Sequence, residues 1–137
     1  MNTTSQINSS ALGQLLNEWI GKRSDLLLRL IVGGMLIPHG IGKFLNFDKE
    51  IEVFGKVFGL SPANAWVIAA AVFQIVVGLL IVADRFTRIA ALLVVTFMLS
   101  TIILANGANG WFWHMKGIEY SVMWALVALV VASRAER

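Results

Sequence analysis

Four apolar stretches, 26–47, 62–83, 89–105 and 118–133, alternate along the chain with shorter polar segments. None shows the period-two alternation between turn signals that marks a membrane β-barrel. Helix is the other structure that satisfies a backbone inside lipid. The pattern therefore predicts an all-α fold, an integral membrane four-helix bundle. A crossing helix needs about 20 residues, so the third and fourth stretches must borrow flanking positions. Ahead of the first span, residues 1–11 are polar and expected to be disordered. Leu12, Leu15, Leu16, Trp19 and Ile20 then recur at helical spacing opposite Gln14, Asn17, Glu18 and Lys22. That pattern predicts a short amphipathic helix lying in the interface. It lacks the basic start and following apolar run of a signal peptide. Three segments result: a polar tail with the interfacial helix (1–25), the four-span domain (26–133) and a short tail (134–137).

Composition agrees with the pattern. The chain of 137 residues is 58% apolar and 14% charged, with a mean hydropathy of +0.77, whereas soluble domains carry about 25% charged residues. At this length four spans are expected to take up the chain, with no separate soluble catalytic domain beside them. The absence of cysteine excludes disulfides, thiolate metal ligation and dithiol redox chemistry by the chain itself. A net charge of +3 on a membrane protein points to cytoplasmic flanks and anionic lipid, not to nucleic acid. With four spans, Lys22, Arg23, Arg85, Arg88, Arg134 and Arg137 share one side, and Lys43, Lys49, Lys56 and Lys116 the other. The larger set predicts that both termini are cytoplasmic. Trp66, Trp111, Trp113 and Tyr120 would form the outer aromatic belt, with Trp19 and Phe86 the inner one.

The first span carries the candidate chemistry. At 100° per residue, Arg29, Gly33, Leu36, Gly40 and Lys43 fall within about 40° of one meridian, with His39 about 80° to the side of Arg29. Pro38 removes a backbone donor and is expected to kink the helix. Basic groups are costly in lipid, so this face should point into the bundle. Arg29 and Lys43 lie close enough to the span ends to snorkel to headgroups, and a buried neutral histidine bonded to a carbonyl would equally account for His39. Glu119, at the start of the fourth span, is either a first-turn carboxylate favoured by the helix dipole or an ion-pair partner for Lys43. Small residues form packing seams at Ala70, Gln74 and Gly78, at Thr96 and Ser100, and at Ser121, Ala125, Ala128 and Ala132. The segment 106–117, with three glycines and three aromatics, is expected to fold back as an interfacial cap. Two histidines, His39 and His114, have no spacing that selects a metal or haem. No nucleotide loop, nucleophile elbow or metalloprotease helix is present.

These residues resemble the DoxX family of small four-span membrane proteins. The matching pieces are Leu28-Arg29-Leu30, Pro38-His39-Gly40-Ile41-Gly42-Lys43-Phe44, Leu60-Ser61-Pro62, Phe86-Thr87-Arg88, Asn109-Gly110-Trp111-Phe112-Trp113 and Gly117-Ile118-Glu119-Tyr120. Together they run through residues 26–133. Gln74 departs from the pattern, since many relatives carry glutamate there, and a proton step through that carboxyl would be missing. The resemblance implies a cytoplasmic-membrane protein linked to redox complexes, among them subunits of a thiosulfate:quinone oxidoreductase. On that basis the chain is expected to be a subunit or accessory of a quinone-linked membrane redox system. Arg29, His39, Lys43, Gln74, Trp111, Trp113, Glu119 and Tyr120 are its candidate ligand contacts, and no catalytic residue is assigned. A bound quinone is the cofactor implied, since the chain has no redox group of its own. Oxidoreductase subunits or further copies of the chain are the expected partners. The alternative is a non-catalytic membrane scaffold or small-solute carrier.

Overall fold

The computed structural model describes residues 3–135, and their side chains from residue 11 onward except those of Lys22, Asn106, Ala108 and Trp113. Five helices follow in order: α1 (Thr3–Leu45), α2 (Phe47–Glu52), α3 (Ala63–Val82), α4 (Thr87–Thr101) and α5 (Glu119–Arg134). A π-helical turn, Val53–Val57, extends α2, and a second, Ile102–Asn106, carries α4 into the loop before α5. No strand occurs among the described residues.

The chain is a multi-pass membrane protein by the length and apolarity of its helices. Ala11–Leu45, Ala63–Val82 and Thr87–Ala105 are long and apolar enough to cross a bilayer. At 16 residues, α5 is about 24 Å long and shorter than a typical span. It nevertheless runs the depth of the bundle beside α4. At one end the Thr101 hydroxyl donates to Ser121 Oγ over 3.1 Å, and at the other Arg134 reaches Asp25 of α1.

The amphipathic segment is not a separate helix. It continues into the first span as one helix of 43 residues, beginning at Thr3 in the region expected to be disordered. Local contacts support the junction ahead of the first span: the Arg23 guanidinium sits 4.4 Å from the centre of the Trp19 ring, and the Ser24 hydroxyl donates to the Gly21 carbonyl over 3.0 Å. One glycine costs a helix only about 1 kcal/mol, and propagation from both sides carries the turn. Pro38 also lies inside α1, which continues to Leu45.

Two helix pairs make the bundle. In the α1–α3 pair, a Cβ on Gly33 would come within 2.6 Å of the Gly78 carbonyl, and one on Gly40 within 2.7 Å of the Ala71 carbonyl. These pairs set an antiparallel register in which each glycine lets the facing backbone approach. In the α4–α5 pair, Ala90, Ala91, Val94 and Met98 are buried with Ser121, Trp124, Ala125, Ala128 and Ala132. The expected seams on α3 and α5 are therefore the buried faces. That on α4 is not: Thr96 is exposed and its hydroxyl donates to its own helix at the Leu92 carbonyl. Val32, Leu36, Ile81 and Val94 are fully buried where the four helices meet, and Val67 is fully buried in a smaller cluster with Phe54 and Ala70.

Candidate functional site

Arg29 and Lys43 lie fourteen residues apart on one helix, about 21 Å along its axis. They therefore occupy opposite ends of the bundle, and the candidate contacts divide between those ends.

At the first end, Arg29 forms an ion pair with Asp84, from the turn joining α3 to α4. The Arg29 side chain is only 18% exposed, and its Nε is buried without a hydrogen-bond partner among the described residues. Asp84 takes a left-handed backbone (φ 55°), which aspartate tolerates better than most residues. Its carboxylate accepts a 2.8 Å hydrogen bond from the Thr87 hydroxyl. That bond, and then the Arg29 charge, hold the Asp84 carboxyl below the usual carboxylate range. Nearby, Arg134 donates to Asp25 over 2.9 Å and to Ser24 over 3.0 Å. These contacts place the start of the first span, the α3–α4 turn and the end of α5 at one end of the molecule.

At the other end, Lys43 pairs with Glu50 of α2 at 3.2 Å, both side chains being mostly buried. Glu119, one of the two roles open to it being a partner for Lys43, is not that partner: α2 follows α1 after the single non-helical residue Asn46, and Glu50, seven residues on, supplies the carboxylate. The Lys43 ammonium also lies 5.6 Å from the centre of the Phe54 ring. Phe54 walls an apolar cavity of about 330 Å³ between the first π-helical turn, α3 and α4, together with Phe58, Trp66, Phe73 and Phe97. Of these rings the sequence pattern marks only Trp66, as a belt residue. Phe47, Ile51, Phe54 and Phe58 recur at helical spacing, a pattern that would have flagged this wall as an amphipathic face.

The remaining candidates take part in neither ion pair. His39 is exposed on the outer surface of α1. Gln74 is 3% exposed, and its Oε1 has no hydrogen-bond partner among the described residues. Trp111 is exposed in a loop closed by backbone bonds from Ile118 to Gly110 (3.0 Å) and from Glu119 to Trp111 (2.9 Å). Buried Gly117 fits this loop because a Cβ there would lie 2.6 Å from the Gly110 carbonyl. Glu119 opens α5, and Tyr120 packs edge-on against Trp124 at 5.9 Å between ring centres. The Trp113 side chain lies outside the described residues. No group of three His, Cys, Asp or Glu gathers to hold a metal among the described residues.

The DoxX family model matches residues 24–107, from the start of the first span to the end of the third, so that Arg29, Lys43, Asp84 and the apolar cavity fall within it. The chain belongs to the DoxX family. It is also 36% identical over 78 residues to a curated protein of Bacillus subtilis (strain 168) named "Putative oxidoreductase CatD". That similarity covers 57% of this chain and 56% of the relative, so the chain spans little more than half the length of the curated protein it matches. No solved structure matches the chain.

Proposed function

We propose that this DoxX chain is a membrane subunit or accessory of a quinone-linked redox system, with the aromatic cavity beside Lys43 as its ligand site. The observation that carries the reading is that cavity: five rings wall it, beside a mostly buried ion pair. A flat apolar ring suits such walls through stacking and edge contacts. The name of the Bacillus subtilis relative supports an oxidoreductase association. A bound quinone would supply the electron-accepting group. The chain's own residues would hold the ring and exclude water, while Lys43 and Glu50, behind Phe54, would be the nearest groups able to hold a proton. The reading includes both termini on the cytoplasmic side of the inner membrane, supported by the distribution of lysine and arginine.

The test is titration of the detergent-purified chain with a short-chain quinone, followed by tryptophan fluorescence. Saturable quenching is expected, with Trp66→Phe removing most of the signal and Ala70→Phe, which fills the cavity, weakening binding about tenfold. Absence of saturable quenching, or equal affinity in Ala70→Phe, would overturn the assignment. One observation favours the scaffold or carrier reading: Arg29 and Lys43 each have an acidic partner inside the chain. An Arg29→Gln, Lys43→Gln double variant that stays assembled in the membrane but loses function would count against a purely structural role.

A further inference from the structure

A larger cavity, of about 780 Å³, opens at the Arg29 end between α1, the first turn of α4 and the end of α5. Three arginines, Arg29, Arg88 and Arg134, line it against two aspartates, Asp25 and Asp84. Both aspartates are committed, Asp84 to Arg29 and Asp25 to Arg134. Three cations against two anions leave one positive charge unmatched, and Arg88 is the arginine without an acidic partner among the described residues. The first turn of α4 adds to the field. Its amides have no partner within the helix, Phe86 in the capping position makes no side-chain cap, and the Thr87 hydroxyl is taken by Asp84. The rest of the wall is apolar: Leu26, Phe86 and Ile89 line the same cavity and are exposed on the bundle surface.

We propose that this cavity binds a singly charged phosphate group, the headgroup phosphodiester of an anionic lipid being its most suitable source. Arg88 binds the phosphate, guanidinium geometry matching two phosphate oxygens, and Arg29 and Arg134 set the positive field around it. Leu26, Phe86 and Ile89 receive the first part of the acyl chains. The site is separate from the aromatic cavity of the proposed function, at the opposite end of the bundle, and stands whether or not a quinone binds there.

The experiment is native mass spectrometry of the full chain in detergent with equimolar phosphatidylglycerol and phosphatidylcholine, paired with thermal unfolding in inorganic phosphate. Wild type should retain one phosphatidylglycerol per chain in preference to phosphatidylcholine. Arg88→Gln should lower that retention about tenfold, the loss of one charge-assisted contact, with Arg88→Lys intermediate. Arg23→Gln, a basic position that does not line the cavity, should leave it unchanged. If inorganic phosphate instead stabilises wild type but not Arg88→Gln, and the two lipids are retained equally, the same site takes a free phosphate or phosphorylated solute. Equal retention of both lipids without a phosphate effect, or equal losses in Arg88→Gln and Arg23→Gln, would overturn the proposal.

Discussion

Asp84 shows how one side chain links three elements. It sits in a turn, takes a hydrogen bond from Thr87 at the start of α4 and pairs with Arg29 in the middle of α1. Its carboxyl is held below the usual range, so its contribution to stability is complete above the unfolded value of about 4. That contribution is lost as the pH falls through the lower folded value. Melting in detergent should therefore weaken below about pH 4, and Asp84→Asn should melt lower than wild type at neutral pH but lose less on acidification. The effect is expected to be a few degrees, because the carboxylate is 62% exposed and screened by solvent. A variant with the same acid response as wild type would show that this pair contributes nothing. Arg29 and Lys43 were legible in the sequence because a cation within an apolar run must find an anion or reach water. Their partners were not, since Asp84 reaches Arg29 through the α3–α4 turn and Glu50 reaches Lys43 across the irregular residue Asn46. Gln74 is the opposite case: a buried amide whose oxygen has no partner among the described residues has a cost, and only the tertiary structure identifies that atom.

Adjacent glycines on α1 separate packing from mere permissiveness. Gly33 faces the Gly78 carbonyl at a distance that leaves no space for a Cβ, whereas Gly34 has nothing within 4 Å of that position. Gly33→Ala should destabilise the bundle by about 1–3 kcal/mol through forced separation of α1 and α3. Gly34→Ala should be neutral or stabilising by up to about 1 kcal/mol through helix propensity. Denaturant titration of both variants in the same detergent checks the pair, and equal effects would mean that the seam is not tight. The meridian joining Arg29, Gly33, Leu36, Gly40 and Lys43 was visible as a pattern. Its use was not, because periodicity groups residues on a face without saying what covers it. The covering element is α3, so most of this face forms a helix–helix seam, leaving the two cations at its ends.

At the scale of the molecule, the contacts of Asp25, Asp84 and Arg134 place the α1 segment, the α3–α4 turn and the end of α5 together, away from the loop before α5. Single-cysteine labelling in the cysteine-free background should therefore show Asp25→Cys, Arg85→Cys and Ala135→Cys reacting from one side of the membrane. Asn109→Cys should react from the other, and reaction of all four from one side would contradict the bundle. The same experiment in right-side-out and inverted vesicles identifies the cytoplasmic face.

The sequence by itself determined the solvent and, through it, the architecture. Four apolar stretches without two-residue alternation leave helix as the way to satisfy the backbone in lipid, and small residues at four-residue spacing mark most of the seams. Basic residues inside or beside those stretches were equally readable, because their desolvation cost does not depend on what surrounds them. Tertiary structure decided the distribution of chemistry between the two ends of the bundle. Glu50 rather than Glu119 meets Lys43, Phe54 and Phe97 wall a cavity from positions far apart in the chain, and three arginines from separate helices line another. The physical reason is that burial and pairing belong to the packed arrangement, whereas apolarity, charge and period are properties of the residues in order.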